Sequence, residues 1–525
     1  MKHLKILSAI AIASLLFVSC RSSKNKELTV PADASTIVRL NGSSINSKAD
    51  WNDLLKADWF RREKQMSTDS FDRQIMQDPE RSGVDLKSDF VYFSHKRDLV
   101  RYSVFEGQLK SATDFEKMLQ GQNPGSKVED GGSFNYMLAD KTDFVSWTSS
   151  KFIYISNEPL MGGNTSVTVD SLKAYAASLF DLKKENSIES NDNYASLIKE
   201  PGDIHFWSNT ADVLSDFQFG PIPLIAASAM MQGSVTAGTI NFENGKIVMH
   251  SKQYLNPTLS KLIQRYSARP LTADLLNHVA PTASIVIAMN YDPQLIQDFL
   301  KVSGTESTAN QYLDQYHLTI DELLKASKGE VLMSAAKLGP EVTASEEDDE
   351  EEGIFPFGGD LLFATALNND SSFKKAGDIV KKAFPGAAST VQNNWFLLGN
   401  SPATISHFFA PNTNPVVSQK LGGHPLGVYI DIQKGLEQWN THGLDSALLQ
   451  QINLSKSFWR DIVSNGGEFR DGCINFDTNV NLADGSTNSL KQLAKYSVQM
   501  SQLIKKDEYA TTKPSLEIPF LAYNF

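Results

Sequence analysis

The sequence predicts an α+β protein made of two tandem related repeats, each a mainly antiparallel sheet covered by helices. The first reason is that short segments of the first half recur in the same order in the second half, which is typical of an internal duplication. The second reason is that strand-like runs joined by short turns are interspersed with grouped helical stretches, which favours antiparallel sheets packed against helices.

Four matched segments indicate the duplication. Any one of them is weak, but four in the same order are hard to explain by chance, and they place Ile240 and Ile474 at equivalent positions. We therefore expect repeat 1 at residues 29–267 and repeat 2 at residues 277–506, with a break at "ARPLTAD" and a C-terminal extension at 507–525. The matches are "PADASTIVRLN" (31–41) with "PTASIVIAMN" (281–290), "KFIYISNEP" (151–159) with "NWFLLGNSP" (394–402), "GTINFE" (238–243) with "GCINFD" (472–477), and "TLSKLIQRYS" (258–267) with "SLKQLAKYS" (489–497).

Each repeat begins with a strand followed by a helix. The β-branched runs at 37–40 and 285–289 follow prolines and predict buried strands. In the second half, Asp292 is placed as an N-cap and Pro293 at the first helical position. Apolar residues then recur at helical spacing in both halves, which predicts a buried face. These residues are Leu295, Ile296, Phe299 and Leu300 in the second half, and Trp51, Leu54, Leu55 and Trp59 in the first.

Further elements follow the same logic. Apolar and β-branched runs predict strands, and amphipathic stretches predict the helices between them. The predicted strands are "FVYFS" (90–94), "LVRYSVFEG" (99–107), "EVLMSAA" (330–336) and "DLLFATAL" (360–367), and the predicted helices include "DFEKMLQG" (114–121) and "SFKKAGDIVKKAF" (372–384).

The N-terminal residues predict export and lipidation. Lys2 and Lys5 precede thirteen uncharged residues, a stretch too short to span a bilayer, so residues 1–19 are interpreted as a signal peptide. Cys20 follows directly, and the stretch resembles a bacterial lipobox, which implies an acylated Cys20 and a lipidated tether over 20–28. Two or more acyl chains would anchor the protein stably. The alternative is an ordinary signal peptide cleaved nearby, with Cys20 incidental.

Cysteine and charge content limit the function further. With Cys20 lipidated, Cys473 is the only thiol left, so no intramolecular disulfide forms; its position in "DGCINFD" predicts a small buried residue rather than a nucleophile. The net charge of −12 argues against a nucleic-acid partner. Seven adjacent acidic residues, 346–352, predict a mobile insertion at 344–353, although cation binding there stays open.

No catalytic, cofactor or metal residues are predicted. The sequence contains no HExxH, GxSxG, Walker loop or GxGxxG motif. His205 in "DIHFW" is interpreted as a half-buried sheet residue, and "SSFK" at 371–374 as the start of a helix. Trp147 and Trp207 lie in strand-like runs and are expected in the core rather than stacked on sugars. The apolar stretches 217–233 and 353–359 are interpreted as core, with partner docking as the alternative.

The lipobox, "VPADAS" at 30–35, "SGVDLKSDFVYF" at 82–93 and the length of 525 residues resemble a family of uncharacterised Bacteroidetes lipoproteins of unknown function. The resemblance implies a compartment and an architecture but no catalytic residues. The slightly basic tail after Cys20 favours the outer membrane with the protein facing the periplasm, and surface exposure stays open. Two functions remain: a non-catalytic protein that binds an envelope protein or glycan through its two lobes, or a hydrolase of glycan or peptidoglycan.

Overall fold

The computed structural model describes residues 28–49, 78–97, 100–123, 125–138, 143–159, 167–212, 229–266, 268–339, 358–383, 386–410, 414–439, 441 and 444–510. Within them the chain forms one large antiparallel sheet of eighteen strands with helices packed against it. The predicted α+β class is therefore confirmed. Cys20, the helix expected around Trp51 to Trp59, the acidic run 346–352 and residues 511–525 lie outside the described residues, as do most of 217–233 and 353–359.

The strands are β1 Thr36–Leu40, β2 Phe90–Arg97, β3 Val100–Gln108, β4 Val128–Asp130, β5 Asn135–Leu138, β6 Asp143–Trp147, β7 Lys151–Pro159, β8 Ile204–Asn209, β9 Val235–Glu243, β10 Lys246–Tyr254, β11 Ile285–Asn290, β12 Ser327–Gly339, β13 Gly358–Leu367, β14 Ala388–Gln392, β15 Trp395–Gly399, β16 Leu426–Asp431, β17 Trp459–Arg470 and β18 Cys473–Leu482. Each strand run named from the sequence falls on one of these strands.

The helices are α1 Gly42–Lys48, α2 Ala112–Gln122, α3 Val169–Phe180, α4 Asp192–Leu197, α5 Pro257–Ile263, α6 Ala273–Leu276, α7 Pro293–Ser303, α8 Glu306–Asp314, α9 Ile320–Ala326, α10 Ser371–Ala383, α11 Pro402–Phe408, α12 Pro415–Leu421, α13 Ile432–Gln438, α14 Ser446–Phe458 and α15 Ser489–Ala510, with 3₁₀ turns at Pro79–Ser82, Lys184–Asn186 and Ile188–Ser190. The last helix ends inside the segment predicted as a C-terminal extension.

Strand pairing gives the sheet one continuous order with β4 and β14 as its ends. Ten neighbouring strands come from the first half of the chain and eight from the second. The two groups meet where β10 pairs with β18 over nine residue pairs, from Lys246 opposite Asn481 to Tyr254 opposite Cys473. The full order is β4, β5, β6, β7, β3, β2, β1, β8, β9, β10, β18, β17, β16, β11, β12, β13, β15, β14.

The core lies on both sides of this sheet. Residues directly opposite each other in an antiparallel pair project to the same side, so the pairing assigns each side chain to a face. On the front face, buried strand residues pack beneath α3 and α4 in the first half and beneath α11 and α12 in the second. On the back face of the first half, Phe90, Phe105 and Phe152 pack with Phe115 of α2. Trp147 and Trp207 are buried core residues, as expected.

Two-residue turns close the two hairpins that lie on either side of the junction between β10 and β18. β9 and β10 are joined by Asn244 and Gly245, and β17 and β18 by Asp471 and Gly472. Asp471 and Gly472 have φ angles of 54° and 80°, the positive values that a type I′ turn needs at both central positions. The sequence Asp-Gly supplies residues that tolerate those values, and at the other turn only Gly245 has a positive φ, of 69°.

The helix α7 begins as predicted but packs differently. The Asp292 side chain accepts a hydrogen bond from the Gln294 backbone N–H, and Pro293 is the first helical residue. The buried residue of this helix is Gln297, whereas the predicted apolar face is only half-buried. Burial of Gln297 is tolerated because its amide donates to Asp321 Oδ1 at 2.5 Å.

One of the four sequence matches is wrong. "GTINFE" lies on β9 and "GCINFD" on β18, and β18 forms the junction of the two halves while β9 is one strand away from it. Ile240 and Ile474 therefore do not occupy equivalent places. The two segments resemble each other because both alternate apolar and polar residues, as any half-buried strand does, irrespective of its place in a hairpin.

Candidate functional site

The structure accounts for three residues that the sequence singled out. Cys473 is 4% exposed on β18, and burial raises the pKa of its thiol, which confirms a buried residue. His205 on β8 is buried rather than half-buried, with its Nε2 2.9 Å from the Glu200 carbonyl oxygen, so its ring is held by the backbone. Ser371 opens α10, and the Lys374 ammonium pairs with Asp370, so "SSFK" is part of a helix start.

The middle of the front face carries an exposed polar surface where the two halves meet. His250 Nδ1 of β10 lies 2.6 Å from Asp477 Oδ1 of β18, directly across the junction. These side chains are 54% and 66% exposed, so no described element covers them. Several neighbouring front-face positions on the central strands are polar as well, whereas Val248, opposite Asn479, is apolar and buried. We call this surface the junction strip; its residues are His250, Lys252, Asn465, Asn475, Asp477 and Asn479.

The junction strip is held in place by contacts along its border. Lys252 Nζ lies 2.5 Å from Glu200 Oε1. Burial acts to lower the pKa of Lys252, whereas the hydrogen bond and the negative charge of Glu200 act to raise it. The net result is a raised pKa, so the lysine stays cationic. The Asn465 amide donates to the Lys420 carbonyl oxygen at 2.8 Å. The Asn465 Oδ1 atom is buried, so the strip presents the amides of Asn475 and Asn479 beside the paired charges.

A second polar cluster is buried on the front face of the first half. The Glu106 side chain of β3 is fully buried and pairs with Lys151 Nζ of β7 at 2.5 Å. Burial raises the pKa of Glu106 despite the opposing charge of Lys151. Nearby, Arg39 Nη2 lies 2.8 Å from Asp89 Oδ2, and burial raises the pKa of Tyr194 to about 12. Sequence analysis missed this cluster, although a glutamate within the apolar run "SVFEGQ" was a usable signal.

The corresponding positions in the second half are not charged. Residues that pair directly from strand to strand form one row across the whole sheet. In this row Glu106 of β3 and Ala364 of β13 lie the same number of strands from the junction, on opposite sides of it. In the same row, Ala288 of β11 lies as many strands from the junction as Arg39 of β1 does. The ion pairs therefore belong to one half, where they join β3 to β7 and β1 to the start of β2.

A third polar group links the N-terminal segment to α3. His95 Nδ1 of β2 lies 2.9 Å from the Tyr175 hydroxyl, and His95 Nε2 lies 3.2 Å from Asp33 Oδ1. Tyr175 also packs against the ring of Tyr102 at 4.4 Å between centroids. Burial raises the pKa of Tyr175, so its hydroxyl stays protonated. This arrangement fixes helix α3 on the sheet and offers no accessible nucleophile.

A small pocket in the second half brings together polar side chains of several elements. Its free volume is about 20 Å³, room for roughly one water molecule, so it does not hold a sugar or peptide substrate. The polar residues at its wall are His278, Thr282, Ser334, Asp360, Thr404 and His407.

Within the described part of the chain, no three histidine, cysteine, aspartate or glutamate side chains are grouped so as to hold a metal ion. Among the same residues, no helix is both long enough and apolar enough to cross a bilayer.

Comparisons with known proteins give one family. A model of the domain of unknown function DUF4836 matches residues 27–340. A search of the curated proteins gives no match. Among solved structures, crystal form III of TP0453 is 10% identical with a TM-score of 0.27, covering 48% of this chain and 90% of that chain. Crystal form IV of TP0453 is 8% identical with a TM-score of 0.27, covering 46% and 88%. Similarity at this level carries no weight for fold or function.

Proposed function

The chain belongs to the DUF4836 family of domains of unknown function, and we propose that it is a non-catalytic, lipid-anchored binding protein of the cell envelope. Its two halves are proposed to be tandem repeats, and the junction strip between them is proposed to bind a glycan. The single observation that carries the binding function is the exposed His250–Asp477 pair with its neighbouring amides on an uncovered part of the sheet.

The order of strands supports the duplication. Counted outward from the junction, each half begins with its last three strands in reverse chain order. Its first three strands follow, in chain order, and this arrangement is the same in both halves. The hairpin β4–β5 is then an addition to the first half. The two series are β10, β9, β8, β1, β2, β3, β7, β6 and β18, β17, β16, β11, β12, β13, β15, β14.

The register at the junction is compatible with it, although every antiparallel ladder has a two-fold axis at its centre. If β10 and β18 are equivalent, exchanging them should map their ladder onto itself. The pair Lys246 and Asn481 then becomes the pair Cys473 and Tyr254, which is present at the other end of the ladder. His250 and Asp477 form the central pair, so they lie at the approximate two-fold axis between the halves. A gene duplication followed by joining of two edge strands produces this geometry.

The chemistry of the junction strip favours a glycan over a protein partner. Asparagine amides offer both donors and acceptors, which match the hydroxyl groups of sugars. The cores of protein–protein interfaces are instead rich in aromatic side chains and methionine and poor in charged residues. The residues of the strip are all charged or amide-bearing except for His250, which is itself polar.

A hydrolase is the alternative function, and no observation on the described residues favours it. Glycoside hydrolysis needs two carboxyl groups that face a substrate cleft, one of them with a raised pKa. Glu106 has a raised pKa, but it is fully buried and paired with Lys151. The exposed carboxylate of Asp477 is paired with His250.

Sedimentation with insoluble envelope glycan tests the proposed function. Purified mature protein, without the signal peptide, is mixed in separate experiments with peptidoglycan sacculi and with extracted capsular polysaccharide. The fraction of protein that sediments with each glycan is measured. The double variant His250→Ala/Asp477→Ala should bind at least tenfold more weakly. The matched control, Lys117→Ala/Asp114→Ala, removes an exposed ion pair from α2 and should bind like the wild type. Equal binding by both variants, or no binding by the wild type, would contradict the proposal, and release of soluble sugar would favour the hydrolase.

The lipid anchor is a separate part of the proposed function and rests on Cys20 and the preceding apolar stretch. Acylated protein should fractionate with the outer membrane, facing the periplasm. Cys20→Ala should move it to the soluble fraction, and mass spectrometry of the wild type should find acyl chains on residue 20. An unmodified N-terminus elsewhere in the mature protein would contradict the anchor without affecting the glycan-binding test.

A further inference from the structure

The two ends of the sheet are protected very differently. The edge strand β4 has three residues, and two of them, Glu129 and Asp130, are exposed and acidic. The edge strand β14 has five residues with the sequence "ASTVQ", which contains no charge and no proline. Its pairing with β15 is regular, without a bulge. Proteins usually guard an edge strand with charges, prolines, bulges or a very short strand, and β14 carries none of these.

The first half of the same molecule shows what covers this place. β6 occupies the same rank in the strand order as β14, and its outer side is paired with β5. The pairing is antiparallel, from Asn135 opposite Trp147 to Leu138 opposite Phe144. β5 carries the uncharged sequence "NYML", in which Tyr136 and Met137 are buried. A strand of this chemistry thus lies beside β6, and among the described residues no strand lies at the corresponding place beside β14.

The backbone of β14 is oriented to accept such a strand. Asn393 and Asn394, with φ angles of 51° and 60°, form a two-residue turn to β15, so Gln392 and Trp395 are a hydrogen-bonded pair. Bonding then alternates along the strand, and the N–H and C=O groups of Ser389 and Val391 point away from β15. Among the described residues, no backbone hydrogen bond joins β14 to anything other than β15.

We propose that β14 is a docking site for an extended, uncharged peptide segment of a partner protein, which adds to the sheet as an antiparallel strand in the way that β5 adds to β6. Main-chain hydrogen bonds would supply affinity, and alternate side chains would contact the half-buried residues on either face of β14. A second copy of this chain is the less favoured occupant, because a five-residue strand offers far less than the roughly 1,200 Å² that a stable interface buries. This site lies at the far end of the second half and is independent of the junction strip.

Peptide binding to the full-length protein tests the proposal. The probe is a fluorescein-labelled synthetic peptide with the sequence of residues 131–139, "GGSFNYMLA", which contains β5 and no charged side chain. Fluorescence anisotropy should show saturable binding to the wild type. Val391→Pro removes an outward N–H and should weaken binding roughly tenfold or more, the loss expected for one or two hydrogen bonds. The control Asp130→Pro removes an outward N–H from the opposite edge strand β4, and it should bind the peptide like the wild type.

N-methylated peptides keep the test decisive if Val391→Pro does not fold. Methylating the backbone nitrogen of Tyr136 or of Met137 should abolish binding in one case and spare it in the other, because successive N–H groups of a strand point in opposite directions. Equal effects at both positions, or no saturable binding by the wild type, would overturn the proposal. A reversible dimer that sedimentation detects in the wild type and not in Val391→Pro would identify a second copy as the occupant and would overturn the peptide assignment.

Discussion

Replacing Lys151 with methionine leaves a buried carboxylate without its cation. Removing one partner of a buried ion pair costs about 3–5 kcal/mol. We expect the lower end, about 3 kcal/mol at pH 7, because the Lys151 side chain keeps 15% of its surface exposed while Glu106 has none. With an m-value of about 3 kcal/mol/M, the urea midpoint should fall by about 1 M. Urea unfolding followed by the fluorescence of the buried Trp147 and Trp207 measures this change.

The pH dependence of that loss identifies Glu106 as its source. Because the pKa of Glu106 is raised by folding, its contribution to stability is complete below the unfolded pKa and is lost as pH rises through the folded pKa. Losing Lys151 raises the folded pKa further, so the deficit of Lys151→Met relative to the wild type should shrink as pH falls from 7 to 5. A deficit that stays constant over this range would refute the reasoning.

A double variant separates charge from packing. Lys151→Met/Glu106→Ala removes both charges, and the second half has Trp395 and Ala364 at the same number of strands from the junction. The double variant should therefore be more stable than Lys151→Met alone, with a coupling of about 2 kcal/mol. The control Lys117→Met, at an exposed ion pair, should leave the urea midpoint unchanged. A double variant no more stable than the single one would also contradict the assigned role of Glu106.

Three further substitutions test other buried contacts. Asp203→Asn should lower the free energy of unfolding, measured with urea, by about 3 kcal/mol. This fully buried carboxylate accepts hydrogen bonds from Ser44 Oγ, Lys48 Nζ and the Phe242 N–H, each at 2.6 Å. Unchanged stability would show that these bonds add nothing. Tyr175→Phe should cost about 1–2 kcal/mol by removing the partner of His95, measured by calorimetry, and a neutral result would disprove it. Gly329→Ala should cost about 2 kcal/mol or more, because φ is 83° and the added Cβ would lie 1.9 Å from the Tyr291 carbonyl oxygen; a stable variant would mean that this turn relaxes.

Features that depend on neighbouring residues were predictable from the sequence. The alternation in "FVYFS" and "DLLFATAL" locates parts of β2 and β13, because a strand in a covered sheet needs apolar side chains at regular spacing. Asp292 and Pro293 mark the start of α7, since capping is settled within one turn. Cys473 could be assigned to the core from the apolar residues on either side of it.

Features that depend on distant residues were not predictable. His250 and Asp477 are 227 positions apart, and only the register of β10 with β18 brings them together. Strand register is decided by tertiary packing, which a local pattern does not contain. The same limit explains Gln297, whose burial requires Asp321 from another helix. It also explains why "GTINFE" and "GCINFD" could be mistaken for equivalent strands.

The pairing of β10 with β18 imposes an order of events on synthesis. A ribosome releases β10 long before β18, so a nascent first half waits with an unsatisfied strand edge until nearly the whole chain has been translated. Leu490, which completes the core beside Phe242, arrives later still. Chains truncated ahead of the last hairpin would carry that edge permanently, and they should depend on chaperones or be removed by proteases.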